Sequence, residues 1–188
     1  MRIFSLIAHK FTGDINLNDL PGSGRVDVIA RAINASLFLS HDIRRDVIFY
    51  FYAPRAAFML KIDGSRVRYL NPDERSTAAL IRNAYMNRER RDEPSPGFFV
   101  KNIDFTGFIE ELSSIGAVFY LHEDGRDIRE VSIPENAVFI LSDSVNLSDE
   151  EEKEVMRIAR ERISVGPKSI LASHAICVVN NELDRRGI

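Results

Sequence analysis

The sequence is poor in the residues that build covalent or metal cross-links. Its 188 residues hold one cysteine and four histidines. A single cysteine excludes an internal disulfide framework and fits a reducing compartment, here the cytoplasm. The histidines are scattered, with no spacing that suits metal ligation, so no metal is expected. No apolar run approaches the ~20 residues of a membrane-spanning helix, and no membrane partner is expected. The first residues lack a basic segment followed by an apolar core and a cleavage site, so no signal peptide is expected. Gly22-x-Gly24 does not complete a dinucleotide fingerprint, and no Walker-type Lys-Ser/Thr loop follows a strand. There is no internal repeat and no low-complexity tract.

What is present is ordinary for a globular chain: 45% apolar and 28% charged residues, in a length that suits one domain spanning 1–188. The net charge of −3 argues weakly against nucleic acid. It conceals an asymmetry. Residues 1–100 carry 15 Lys and Arg against 11 Asp and Glu, a surplus of +4, and residues 101–188 carry 10 against 17, a deficit of −7. A basic half can follow phosphates while an acidic half faces elsewhere.

Apolar, β-forming runs predict strands at Arg2–His9, Val47–Ala53, Phe98–Val100, Ala117–His122 and Asn136–Leu141, with a shorter run at Arg162–Val165. Asp63-Gly64 predicts a hairpin between Ala56–Asp63 and Ser65–Leu70. Helical spacing marks Arg25–Leu39, a segment opened by Asn71-Pro72-Asp73-Glu74, and Phe105–Ser114. Ser148 with Glu151 three residues on predicts a capping box. Thr12–Gly24 and Arg88–Gly97 read as loops, and Glu123-Asp124-Gly125 as a turn. Strands alternating with helices imply an α/β fold: a mainly parallel sheet with helices on both faces.

Ligands of such sheets bind at the carboxyl ends of strands. Two strand ends stand out, Leu141-Ser142-Asp143 and Val165-Gly166-Pro167. Gly-Pro forces a turn, because glycine permits positive φ and proline fixes its own. Ser169 and Ser173 then offer N-caps to a last segment that is unusually apolar for a chain end. Periodicity alone leaves Ala175–Val179 open between helix and strand.

Two stretches resemble a known family. The first runs from Gly24-Arg25-Val26-Asp27-Val28-Ile29 to His41-Asp42-Ile43-Arg44-Arg45-Asp46. The second runs from Ser164-Val165-Gly166-Pro167-Lys168-Ser169-Ile170-Leu171 through Cys177 to Asn180-Asn181-Glu182-Leu183-Asp184-Arg185. Together they are similar to the archaeal tRNA pseudouridine-54 N1-methyltransferases, a branch of the SPOUT (α/β-knot) superfamily. The resemblance covers essentially the whole chain. It implies a C-terminal trefoil knot, S-adenosylmethionine as cofactor, a homodimer, and N1-methylpseudouridine in the T-loop of tRNA as product.

The knot loops of that family match Leu141-Ser142-Asp143, Ser164 to Pro167, and Ile170 through Cys177. The resemblance therefore implies a cofactor site built from Leu141, Ser142, Asp143, Val165, Gly166, Pro167, Ile170, Leu171, Ile176 and Cys177. The residues agree with it physically, since adenine needs a flat apolar slot and backbone partners. Cys177 is placed in that wall and not in the chemistry, because methyl transfer to nitrogen needs no covalent enzyme intermediate. His174 reads as a packed or interface histidine.

Arg25-x-Asp27 resembles an Arg-x-Asp of the sister ribosomal-RNA enzymes. Its plain reading is an ion pair at a helix start. Its functional reading puts Arg25 on a phosphate or the base, with Asp27 positioning it or helping to remove the N1 proton. Arg25, Arg44, Arg45, Arg82 and Arg88 are the candidates for RNA contacts, since guanidinium forks suit phosphate oxygens. The competing readings are an enzyme for a pseudouridine of ribosomal RNA, and a non-catalytic cofactor-binding RNA assembly factor.

Overall fold

The computed structural model describes residues 1–188. Its elements follow the apolar runs of the sequence: β1 (Arg2–Ile7), α1 (Val26–Leu37), β2 (Val47–Ala53), β3 (Phe58–Asp63), α2 (Glu74–Asn87), β4 (Phe98–Asn102), α3 (Phe105–Ile115), β5 (Ala117–Asp127), β6 (Ala137–Ser142), α4 (Asp149–Ile158), β7 (Ala159–Ser164) and α5 (Ala172–Arg186). They form one seven-stranded sheet in the order β4-β3-β2-β1-β6-β5-β7. The pairs β1–β2, β1–β6, β5–β6 and β5–β7 are parallel, whereas β3 and β4 add an antiparallel edge. The sheet is thus mixed but mainly parallel.

Both faces are covered, because the central strands alternate apolar side chains on each side. Phe4, Leu6, Phe49, Phe51, Phe139 and Leu141 join a core with residues of α1, α2 and α5. Ile3, Ile7, Tyr50, Tyr52, Val138 and Ile140 join a second core with α3 and α4. The starts of the helices are fixed locally. Asp73 accepts from the Ser76 amide at 2.8 Å, Asp104 from the Gly107 amide at 2.8 Å, and Ser148 and Glu151 form the expected capping box.

Three local expectations are corrected. Residues 65–70 form no second hairpin strand. The amides of Arg66 and Val67 both turn back to the Asp63 carbonyl, Val67 and Leu70 are buried in the core, and β4 takes the place beside β3. The turn expected at Glu123-Asp124-Gly125 is a bulge within one long strand, since Leu121 and Arg126 both face Ile163 of β7. Neither Ser169 nor Ser173 caps the last helix. Leu171 stands at that position without a side-chain bond.

Ala175–Val179 is helical, and α5 is tied down by buried polar contacts. Arg2 donates to the Ile188 carbonyl at 2.6 Å and to Asn180 Oδ1 at 3.3 Å, and it pairs with Asp184 at 2.6 Å. Asn180 donates to the Ala35 and Ser36 carbonyls of α1 at 3.3 Å each. Ile176, Val179 and Leu183 fill the core beneath these bonds. A chain end held this way does not fray.

Candidate active site

β1 is the point where the order of the sheet divides. The chain leaves it for β2 on one side and returns to β6 on the other, and ligands of open α/β sheets bind at the strand ends beside such a point. A cavity of about 620 Å³ lies on the β6 side of that point, at the carboxyl ends of β6, β5 and β7. Its wall comes from the ends of β6 and β7, the loop from Val165 to Leu171, the start of α5, the bulge of β5, and Arg25, Val28 and Arg31 of the α1 start. That volume suits a nucleoside-sized ligand.

The structure brings together Leu141, Ser142, Asp143, Val165, Gly166, Ile170 and Leu171 of the expected cofactor residues, with Arg25 on the same wall. It leaves out three. Ile176 is fully buried in the core beneath α5, Cys177 is exposed on the helix, and Pro167 is exposed on the loop beside the cavity. The helical period explains this: Ala175 still reaches the cavity, and the next two residues turn away from it.

Gly166 also differs from expectation in its reason. It does not adopt positive φ. A Cβ built on it would meet nothing within 4 Å, so the glycine keeps space open along the cavity loop. The loop is held by Ser164, whose hydroxyl donates to the Gly166 carbonyl at 2.6 Å and accepts from its amide at 3.2 Å. Apolar Leu141, Val165, Ile170 and Leu171 alternate with Ser142, Ser144, Asn146 and Ser164 around the wall. That mixture fits an adenosine-type cofactor, a flat apolar base joined to a polar sugar.

Arg25 has φ of +61°, a left-handed conformation that disfavours non-glycine residues. Gly24 before it is also left-handed, at φ +74°, and passes so close to the Lys10 carbonyl that a Cβ would lie 2.4 Å from it. This turn aims Arg25 at Asp27. Arg25 Nε and Nη2 donate to the two Asp27 oxygens at 2.9 and 3.0 Å, and Arg31 Nη2 adds a third bond at 2.7 Å. Burial pushes the Asp27 carboxyl up, but the two guanidiniums outweigh it and hold it below the ordinary carboxylate range. Both oxygens are committed. Asp27 is therefore placed to hold Arg25, and the expectation that it takes a proton is not met by this geometry.

The other arginines divide. Arg44 forms a two-pronged bond with Asp184, at 2.9 and 2.6 Å, and its side chain is 13% exposed. It belongs to the anchoring of α5, where its guanidinium is engaged within the chain. Arg45 is half-exposed, with Nη1 donating to the Gly64 carbonyl at 3.0 Å. It precedes β2 at the amino end of the parallel strands, about 17 Å from the cavity along them. Arg82 is exposed, without an ion-pair partner, and Arg88 stacks on Tyr85 with its guanidinium 4.0 Å from the ring centre. Neither lines the cavity. The cations that do are Arg25, Arg31 and Lys168.

Sequence reasoning missed Arg31 as a cavity residue, although it stands one helical turn, four residues, after Asp27. It also missed a cluster behind the wall. His9, just after β1, sits between Asp143 and Glu151, with Nδ1 at 3.5 Å from Asp143 Oδ1 and Nε2 at 3.0 Å from Glu151 Oε2. Three elements distant in sequence meet there, and no local motif announces it.

A mainly parallel sheet with a nucleoside-sized cavity at the carboxyl ends of its strands, and an arginine–carboxylate pair on the rim, places the chain among the α/β proteins built to hold a nucleoside-sized ligand at their strand ends. The fold matches that of the crystal structure of Archaeoglobus fulgidus Nep1 bound to S-adenosylhomocysteine, with TM-score 0.70 over 100% of this chain and 99% of that one. At 11% identity the likeness is one of fold.

Residues 1–188 match the model of the family described as "Putative SAM-dependent RNA methyltransferase", and the chain belongs to that family. Its relatives include proteins named tRNA (pseudouridine(54)-N(1))-methyltransferase. That of Methanococcoides burtonii is 45% identical, over 98% of this chain and 96% of its own length. Those of Haloferax volcanii and Methanocaldococcus jannaschii are 42% and 38% identical, each over 100% of this chain and 98% of their own length.

Proposed function

We propose that this chain methylates N1 of pseudouridine 54 in the T-loop of tRNA, using S-adenosylmethionine. The full-length likeness to relatives so named carries the reading. The cavity supports it, because its wall fits the cofactor and its rim carries a preorganised cation. When bound, the cofactor supplies an electrophilic methyl group.

The chain's own contribution is position and charge. Leu141, Val165, Ile170 and Leu171 pack the adenine, the Ser142 and Ser164 ends of the strands meet its polar edges, and the space left at Gly166 admits it. Arg25, locked by Asp27 and Arg31, contacts the target nucleotide. Aligning nitrogen, methyl carbon and sulfur in one line supplies much of the rate in a transfer of this kind. Arg82 and Arg88 contact the RNA outside the cavity.

The same reading includes a trefoil knot, formed by the cavity loops around α5, and a homodimer. Val178 is 38% exposed, and with the exposed Cys177 it leaves an apolar strip on the outer face of α5 that a second copy would cover. We place the enzyme in the cytoplasm, where tRNA is modified and the single thiol stays reduced.

The test is methyl transfer from labelled S-adenosylmethionine to two otherwise identical tRNAs, one with pseudouridine and one with uridine at position 54. Transfer to the first alone is expected. Equal transfer to both, or to neither, overturns the reading.

A further inference from the structure

Residues 143–148 connect β6 to α4, and Asp143, Ser144 and Asn146 among them line the cavity. This loop is fastened at both ends. At the first, the Asp143 amide donates to the Ile7 carbonyl at 2.9 Å, and Asp143 Oδ1 accepts from the Val145 amide at 2.9 Å. At the second, Glu151 Oε2 accepts from the Ser148 amide at 2.9 Å. His9, just after β1, stands between the two fastenings. Its Nε2 lies 3.0 Å from the same Glu151 oxygen, and its Nδ1 lies 3.5 Å from Asp143 Oδ1.

The Asp143 carboxylate is sealed behind the wall. The side chain is 1% exposed, and Oδ2 is buried without a hydrogen-bond partner, so it meets no ligand in the cavity. A carboxylate cut off from water is costly unless a cation faces it. His9 is the one basic side chain within 4 Å of it. A neutral imidazole carries a single proton. Both ring nitrogens face a carboxylate here, so whichever lacks the proton turns a lone pair toward negative charge. Only the imidazolium makes both contacts attractive. In agreement, the Asp143 carboxylate raises the His9 pKa, burial opposes the rise, and Glu151 adds to it.

The charges that face His9 are thus Asp143 from the end of β6 and Glu151 from α4. Arg25, at the start of α1, acts on Asp143 from beyond contact distance. On β2, beside β1, the Tyr52 phenol has its pKa pushed up to about 12 by burial, with Asp104 and Glu151 adding to it, and it stays neutral.

We propose that His9 positions the cofactor wall: as an imidazolium it bolts Asp143 of the β6 loop to Glu151 in the first turn of α4, and so strengthens the hold on the cofactor. The inference rests on the reading of this cavity as the S-adenosylmethionine site. His9 is not on the cavity wall and acts through Asp143. Loss of its proton leaves a buried carboxylate without a cation, and releases the loop that carries Ser144 and Asn146. Linkage fixes the sign. The folded pKa lies above the ordinary value of ~6.5, so affinity is full at pH 6 and falls as pH rises through the folded pKa. By reciprocity, bound cofactor raises the pH at which His9 titrates, by the logarithm of that fall.

The test uses the full-length protein and S-adenosylhomocysteine, titrated by calorimetry from pH 6 to 9. Wild-type affinity is expected to fall about tenfold more across this range than that of His9→Gln. The variant should bind about tenfold more weakly at pH 6 and converge with the wild type at pH 9. His122 and His174 line the cavity and titrate in both proteins, as does the amino group of the ligand, so the comparison removes them. In the wild type, the His9 ring resonances should titrate about one pH unit higher with S-adenosylhomocysteine bound than without it. Equal pH dependence in wild type and His9→Gln overturns the proposal. So does a His9 titration midpoint that binding leaves unchanged, and this measurement on the wild type decides alone if His9→Gln does not fold. Wild-type protein that binds no S-adenosylhomocysteine at any pH would instead refute the reading of the cavity.

Discussion

Replacing Asp27 with asparagine separates a positioning carboxylate from a catalytic one. The side chain is 6% exposed and accepts three hydrogen bonds, at 2.9, 3.0 and 2.7 Å, from two guanidiniums that are each 35% exposed. An amide keeps the shape, loses the charge, and turns an N–H₂ group toward a guanidinium. Stranding a fully buried partner costs about 3–5 kcal/mol. Here both arginines reach water, so the stability loss is expected at about 1–2 kcal/mol. The functional loss is larger in consequence. Arg25 remains on its left-handed backbone but loses the fork that aims it, and one misplaced charged contact to the target nucleotide is worth about 1.5–3 kcal/mol. That corresponds to a fall of about 10–100-fold in kcat/KM for tRNA. S-adenosylhomocysteine affinity should stay within about threefold, since Asp27 is not on the cavity wall. The assay is single-turnover methylation against tRNA concentration and pH, with calorimetric titration of S-adenosylhomocysteine. A kcat/KM within twofold of wild type would refute the coupling of Arg25 to Asp27. Disappearance of the acid limb of the rate would refute the positioning role and make Asp27 the proton acceptor.

Other perturbations follow from the same geometry. Arg44→Ala should lower stability by about 1–2 kcal/mol through loss of its bond to Asp184, and leave the salt dependence of tRNA binding unchanged; a smaller salt slope would return Arg44 to the RNA interface. The Arg44 bond, opposed by burial and helped by Arg2, holds the Asp184 carboxyl below its ordinary range. Its contribution is complete above the unfolded value of ~4 and is lost as pH falls through the folded value, so Asp184→Asn should flatten the acid side of the stability profile measured by urea unfolding. Gly166→Val should leave the fold intact, because its Cβ meets nothing within 4 Å, yet weaken S-adenosylhomocysteine binding at least about tenfold, or ~1.4 kcal/mol. Undiminished binding in a calorimetric titration would move the cofactor away from that loop. Ser148→Ala should lower the denaturation midpoint in step with a loss of about 1 kcal/mol, the usual worth of such a cap.

Much of the fold was legible because its signals are local. The runs at Arg2–Ile7 and Val47–Ala53 and the Ser148 capping box each dictate one element. Asp63-Gly64 misled, because a turn dipeptide does not determine which strand pairs next; the burial of Val67 and Leu70 does, and it depends on the finished core. The site was legible where it lies on single loops, at Leu141–Asp143 and Val165–Leu171. Ile176 and Cys177 were misplaced because the same apolar helix faces the cavity, the core and the solvent in successive residues. The arginines were the hardest to read. Charge alone does not separate Arg25, aimed at the cavity by its turn, from Arg44, consumed by Asp184 across 140 residues of sequence. The His9 cluster was illegible for the same reason, since His9 and Glu151 lie 142 residues apart.

The central claim is tested most directly by mapping the product. After incubation with S-adenosylmethionine and a tRNA carrying pseudouridine at position 54, nuclease fragments analysed by mass spectrometry should show one added methyl group, on N1 of that nucleotide. A methyl group elsewhere in the tRNA, or none from protein that binds S-adenosylhomocysteine, would contradict the account.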